Sequence, residues 1–294
     1  MAKTILLYGP EALAILRRFM DPREAGLKKA FRTLWAKEAG RFDDADLESL
    51  GKGILPISYL KLIAQTNTNF VNDVLTPAWR AGIEESSTDM QKRVSRLMGK
   101  KGGGLLSQAD IAKLVAERKA ILAGDLNKEV ERVLNLMVNR YVQSRPMTPY
   151  ELASMVESNI GLTEKYATAV ANRYDALIAD GYSSKEASTQ ASKYADFLRG
   201  ARAENIARTE LAEAYGEGQL QSVQNAAMDG LVQGEIEKSW MAAEDERTCP
   251  TCGNLDGEKQ VVSVAFSNGK MRPPAHQQCR CGLQYEVQRG PLTT

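Results

Sequence analysis

The chain has 294 residues, is 43% hydrophobic and 26% charged, and carries a formal net charge of +1. That length allows two or three domains with real cores, and the near-neutral balance excludes a global field that would drive binding to nucleic acid or an anionic membrane. No apolar run approaches the length needed to span a bilayer, and a single histidine leaves most Ser-His or Cys-His mechanisms with His276 alone.

Residues 1–10 do not read as a secretory signal, because their apolar run is short and is cut by Gly9, Pro10 and Glu11. The expected compartment during synthesis is therefore a reducing cytoplasm, where clustered cysteines favour metal over disulfides. Residues 1–235 read as helix after helix. The segment 57–98 is helical in pattern, with a break expected at Thr76-Pro77. The run Gly99-Lys100-Lys101-Gly102-Gly103-Gly104 reads as a linker, either a basic contact with DNA or a partner, or a solvated helix end. Ile111, Leu114, Val115, Leu122, Val130, Val133, Leu134, Met137 and Tyr141 mark one long helix, or a pair broken near Gly124-Asp125.

Thr148-Pro149-Tyr150-Glu151 is a capping box with proline at the first helical position. Ser183-Ser184-Lys185-Glu186 is a second box, and Gly181 before it is placed as a left-handed helix cap. Tyr166, Val170, Tyr174 and Leu177 on one side, and Ala187, Ala191, Tyr194, Ala195 and Leu198 on the other, predict an antiparallel helical hairpin. After residue 235 the pattern changes. Residues 235–241, 258–264 and 282–287 are short, partly alternating and rich in Val, Ile, Trp and Tyr, which predicts a small antiparallel sheet. The fold class is thus mostly α with a small C-terminal α+β module. In chain order we expect a helical region over 1–104, a second over 105–235, and a stapled sheet module over 236–294.

The histidine and all four cysteines lie in the last fifth of the chain, as Cys249-Pro-Thr-Cys252-Gly and His276-Gln-Gln-Cys279-Arg-Cys281-Gly. A C-x-x-C pair followed by three further soft ligands can surround one tetrahedral cation, so one structural zinc per chain is expected. Cys249 and Cys252 supply two ligands, and His276, Cys279 and Cys281 compete for the other two places. Pro273-Pro274 fixes the approach to the second half-site. The alternative without metal is two disulfides or four reduced thiols. A catalytic site is disfavoured, since the order is reversed from zinc deaminases, H-x-E is missing and no H-E-x-x-H occurs.

Upstream, residues 201–217 place Ala203, Ala207, Glu210 and Ala214 on one helical stripe. A carboxylate in a small-residue seam needs an arginine or several backbone donors, and Arg208 and Arg202 are the nearest candidates; a partly exposed surface salt bridge is the plainer alternative.

Ile206-Ala207-Arg208-Thr209-Glu210, then Lys238-Ser239-Trp240, the stretch 245–252, Leu255-Asp256-Gly257 and the closing Pro273-Pro274-x-His276-x-x-Cys279-Arg280-Cys281 together resemble the phage Mu F-like minor head proteins, the phage head morphogenesis family. The resemblance covers roughly residues 150–288, and Arg208, Thr209, Glu210, Trp240 and Asp256 fall on its motif positions. One departure is Gln277, where the family usually has proline. The resemblance implies a low-copy minor capsid protein of a tailed phage, associated with the portal inside the head, with the portal and other head proteins as partners. It implies action in head assembly or DNA delivery, a virion interior location near the portal after assembly in the host cytoplasm, and no enzyme activity. Non-specific DNA contact is a further partner class; a membrane and a small-molecule substrate are not expected. The competing functions are a zinc-knuckle nucleic-acid-binding protein, and a metal-dependent hydrolase using Glu210 and Asp256.

Overall fold

A computed structural model of the chain describes residues 3–98, 105–142, 147–243 and 245–289. The Gly99–Gly104 linker expectation lies outside these residues. The elements run β1 (Lys3–Tyr8), α1 (Ala12–Ala39), α2 (Asp44–Gly51), α3 (Ile57–Phe70), a π-helical turn (Val71–Leu75), α4 (Thr76–Met98), α5 (Gln108–Met137), a second π turn (Val138–Val142), α6 (Pro149–Asn159), α7 (Glu164–Ala179), α8 (Ser184–Met228), β2 (Glu235–Met241), α9 (Pro250–Leu255), β3 (Lys259–Val261) and β4 (Gly282–Arg289). The chain is mostly helical with a small antiparallel sheet of order β1-β4-β2-β3, as the hydrophobic periods predict.

The chain packs as two compact units, neither of them one continuous stretch. The first, residues 26–75 and 117–204, is helical. The expected hairpin is α7 and the first part of α8. Gly181 takes φ +90°, and the Tyr182 amide donates to Leu177 O at 3.1 Å, closing α7. Both expected capping boxes form, Thr148 with Glu151 and Ser183 with Glu186. The core collects Tyr59, Leu134, Tyr141, Val156, Val170 and Tyr174, with Ala187, Ala191 and Ala195 as the small face of α8. Gly161 at φ +80° lies under Trp35, where a Cβ would come within 2.3 Å of the ring, so only glycine fits. Glu38 is wholly buried and both its carboxylate oxygens lack a hydrogen-bond partner among the described residues. The buried Arg202 guanidinium stacks 5.0 Å from the Trp35 ring in this unit.

The second unit, residues 1–25, 76–116 and 205–294, holds the sheet. Its core joins Leu7, Tyr8, Val223, Ile236, Trp240, Phe266, Tyr285 and Val287. The far part of α8 packs against α4 through a seam of small residues. A Cβ on Gly82 would meet that of Ala214 at 2.8 Å, and one on Gly218 would strike Ser86 Oγ at 2.1 Å.

Two local expectations need correction, and one open alternative is decided in favour of the single long helix. Residues 3–8, read within a helical region, form a strand paired antiparallel with β4, with Ile5 opposite Val287. Six residues before Gly9-Pro10 are too few for a stable helix, and the partner strand is remote in sequence. Gly124-Asp125 does not interrupt α5, which is continuous from Gln108 to Met137; a mid-helix glycine costs only about 1 kcal/mol. The third sheet segment is shorter than 258–264, pairing only over Lys259–Val261. The break expected at Thr76-Pro77 is the π turn ending at Leu75.

Candidate metal centre

The C-x-x-C half of the site is built by a helix end. Cys249 is the N-cap of α9, Pro250 occupies its first turn, and the Cys252 amide donates to Cys249 Sγ at 3.4 Å. A sulfur takes the place that a serine or aspartate oxygen usually fills, and the helix N-terminus favours its anionic form. Gly253 follows in helical conformation and needs no special freedom. The left-handed glycine is Gly257 at φ +74°, which closes α9 and returns the chain to β3.

The second half of the site is a non-helical turn. The Cys279 amide donates to His276 O at 3.2 Å, and Gln278 between them takes φ +60°. His276 Nδ1 lies 2.8 Å from Gln277 O, so this nitrogen carries the proton and Nε2 faces the sulfurs. Nε2 stands 3.1 Å from both Cys249 Sγ and Cys252 Sγ, and Cys252 Sγ stands 3.7 Å from Cys279 Sγ. That last separation is far beyond a disulfide bond of about 2.05 Å, and all four cysteines are free.

Five sequence-expected ligands are therefore together, as two overlapping sets. Cys249, Cys252 and His276 form one, and Cys252, Cys279 and Cys281 the other; within each, every ligand atom lies within 4.8 Å of the others. Ligands on a tetrahedral zinc sit about 3.5–3.8 Å apart, given bonds of about 2.3 Å to sulfur and about 2.0 Å to nitrogen. The donor set fits such an ion; the Cys252–Cys279 separation of 3.7 Å falls in that range, the two His276 Nε2–sulfur separations of 3.1 Å are tighter, and Cys252 is the residue common to both sets.

The thiols are electrostatically unequal. The Cys252 amide lowers the Cys249 pKa. Hydrogen bonding from Cys281, together with backbone donors, pulls Cys279 down to about 5. Burial pushes Cys252 up to about 12, with the neighbouring Cys279 charge adding to it. Cys281 is raised far above the usual thiol range, first by its bond to Cys279 and then by burial. Burial acts to lower His276, but the Gln277 carbonyl and the nearby Cys279 and Cys249 sulfurs outweigh it and raise it. Cys249 and Cys279 are thus the thiols more easily ionised, and Cys252 and Cys281 the harder ones.

The remaining motif residues support this corner. Trp240 is fully buried, edge-on to Phe266 with centroids 5.2 Å apart. Its carbonyl accepts the Gly257 amide and its amide donates to Glu258 O, both at 2.9 Å. Asp256 Oδ1 accepts the Ala242 amide at 2.7 Å, tying α9 to the end of β2. Thr209 Oγ1, on α8, accepts the Gln278 amide at 3.2 Å and so reaches the His276 turn. Arg208 forms a two-pronged pair with Glu24 at 2.7 and 3.0 Å. Arg202 lies in the other unit. Glu210, 5% exposed, accepts from Trp79 Nε1 at 3.0 Å. The carboxylates of Glu210 and Asp256, the residues of the hydrolase alternative, are both engaged in fold-holding bonds.

One residue escaped the sequence reading. Arg272, just before Pro273-Pro274, reaches Glu213 at 2.7 Å and Glu217 at 2.6 Å on α8. Burial opposes its charge, but the two glutamates outweigh that and raise its pKa. A Cβ on Gly216 would come within 3.2 Å of Pro273 O, so the loop lies directly on the helix. The available signal was Glu213 and Glu217 one turn apart on a helical face. No helix among the described residues is long and apolar enough to cross a membrane.

Residues 164–284 match the family model described as Phage Mu protein F like protein. The matched stretch is less than half of the chain, begins at the first residue of α7, ends within β4 and includes all five Cys/His residues. No curated protein matches the chain, and no solved structure does.

Proposed function

We propose that this chain, a member of the phage Mu protein F-like family through residues 164–284, is a minor head protein that docks on the portal inside the capsid and serves head assembly or DNA delivery. The observation that carries the reading is the family match itself, because a phage head morphogenesis role comes with the family. The portal, the interior location, the low copy number and the delivery role are the finer part of the proposal.

The metal reading belongs to the same proposal. One zinc is held by Cys249, Cys252, His276 and Cys279, and Cys281 remains a buried thiol that donates to Cys279. Support comes from the short distances linking these four in sequence around Cys252. With thiolates and one imidazole filling a tetrahedron, no position is open for water, so the ion is structural. The module then presents its partners with a rigid surface instead of a reactive one.

Co-purification with the portal oligomer in moderate salt tests the assembly role. Virions should contain the protein at low abundance, protected from external protease until the capsid is opened. Cleavage in intact particles, or abundance near that of the major capsid protein, would place it on the outer shell and defeat the reading. Presence in procapsids but not in virions would retain assembly and remove delivery.

A further inference from the structure

The helical unit carries a surface feature that neither the metal site nor the family match uses. Between α7 and α8 runs an open groove of about 540 Å³, lined by Ala169, Arg173, Gln190, Lys193 and Tyr194. Two of the lining residues are cations, and among the described residues no acidic side chain lines it. The acids nearest in sequence are engaged elsewhere: Asp175 with Arg140 at 2.9 Å, and Asp196 with Arg199. Among the described lining residues Ala169 is the only aliphatic one.

Two aromatic rings accompany the cations. Tyr194 lies in the groove and is 37% exposed; Phe197, three residues further along the same helix, is 70% exposed. Gln190, Lys193, Tyr194 and Phe197 share one face of α8 by their spacing. A phenylalanine that open, beside a lysine and a tyrosine, is not contributing to the core of its own unit.

We infer that this groove binds a single strand of nucleic acid, with Arg173 and Lys193 on successive phosphates and unpaired bases stacked on Tyr194 and Phe197. The two cations of the lining, with no acid among the described lining residues, favour an anionic occupant. The rings select among anions. An acidic amphipathic helix would need an aliphatic floor, and one alanine does not provide it. Bases stack on exposed aromatic faces whatever their sequence. A duplex keeps its base faces inside, so only an unpaired strand can stack its bases on these rings. The net charge of +1 makes this a local site, and binding should be salt-sensitive because two phosphates release counterions. The inference does not rest on the head-protein reading.

The test is fluorescence anisotropy of the full-length protein with a labelled oligothymidylate of about 16 nucleotides, across a salt series, beside a duplex of equal length and a polyglutamate competitor. The strand should bind at low salt and the duplex more weakly. Arg173→Gln with Lys193→Gln should weaken binding at least about tenfold at low salt and flatten the salt slope by about 1.4, two phosphates at about 0.7 each. Phe197→Ala should weaken it about five- to a hundredfold at every salt concentration, with the slope unchanged, and Phe197→Trp should restore it. All of these changes are on exposed side chains, and unchanged melting will show that the fold is intact. Absence of strand binding at low salt, or binding indifferent to both sets of substitutions, overturns the inference. Binding of polyglutamate with the same dependence on Phe197 also overturns it, and assigns the groove to an acidic peptide.

Discussion

The helical unit and the sheet unit of this chain are held by different means. Around Tyr174, α6, α7 and α8 bury a continuous set of aromatic and aliphatic side chains against small residues of α8, and each helix start has its own capping residue. Around Trp240 the strands are six, seven, three and eight residues long, and much of the chain from 262 to 281 is irregular. There the loops are fixed one residue at a time: thiols converging on His276, Arg272 on two glutamates, Asp256 on the Ala242 amide. A core assembled from many apolar contacts loses one contact with modest effect, whereas a module fixed by a few polar ties should fail when one is cut. Substitution in each unit separates the two cases.

Cys252→Ser should have the largest effect, since Cys252 belongs to both ligand sets. A structural zinc typically contributes about 10–16 kcal/mol of binding free energy to the folded module, so losing it should unfold the sheet. Limited proteolysis should cut after about residue 235 and also near the N-terminus, because β1 depends on β4 for pairing. The helical unit should survive. Elemental analysis of untagged parent protein should give one zinc per chain. A stoichiometry near zero in fresh reduced protein, or a variant as protease-resistant as the parent, would contradict a metal-held module.

Arg272→Met comes next. It leaves Glu213 and Glu217 facing one another without their cation, and breaking such a buried arrangement typically costs about 3–5 kcal/mol. Chemical denaturation followed at Trp240 should shift to lower denaturant, while signals from the helical unit stay in place. If Arg272→Met leaves the transition unmoved, the Arg272 ion pairs do not hold the loop.

The helical unit offers an effect of similar size with a defined pH dependence. Burial raises the Glu38 pKa to about 8, against the opposing attraction of Arg202 and Arg41. In the unfolded chain a glutamate titrates near about 4.3. The folded state therefore holds the proton more tightly, and its stabilising contribution is complete below about pH 4 and is lost as pH rises through 8. By pH 7 the loss is about 4 kcal/mol, roughly 2.7 pH units at about 1.4 kcal/mol each. Glu38→Gln, neutral throughout, should remove this slope between pH 5 and 8. Hydrogen exchange in α7 at several pH values is the measurement, and a parent whose protection is flat over that range would show that Glu38 ionises freely.

The same contrast governs what the sequence reveals. In the helical unit, periodicity and caps are local, so the hairpin about Gly181 and both capping boxes are legible in the residues. In the sheet unit, the five Cys/His ligands and the strands β2 and β4 are legible because their residue types are rare or alternating. The strand β1 is not, since its partner β4 begins about 280 residues away and short apolar runs do not declare their period. Arg272 is not, because an arginine in a loop gives no sign of which carboxylates it meets. Glu210 is half legible: its spacing announces burial, but nothing in the spacing announces the indole donor from α4.

That donor defines the last and smallest effect. Glu210 and Trp79 Nε1 are 3.0 Å apart in a buried seam, and Trp79 also packs with Ile83, Ile111 and Ala214. Trp79→Phe keeps most of the ring and removes the N–H, and a hydrogen bond to a charged group is worth about 1.5–3 kcal/mol. Glu210→Gln keeps an acceptor and removes the charge, so it should cost less than Trp79→Phe. A double-mutant cycle between them isolates the bond: a coupling near zero would mean that Glu210 draws its stabilisation from other groups in the seam, whereas a coupling of about 1–2 kcal/mol would identify the indole as the partner that makes a carboxylate tolerable there. Neither substitution should change zinc content, because the seam and the Cys/His corner share no ligand. A variant at Glu210 that melts like the parent yet abolishes a measurable hydrolytic reaction would instead favour a metal-dependent enzyme over a structural head protein.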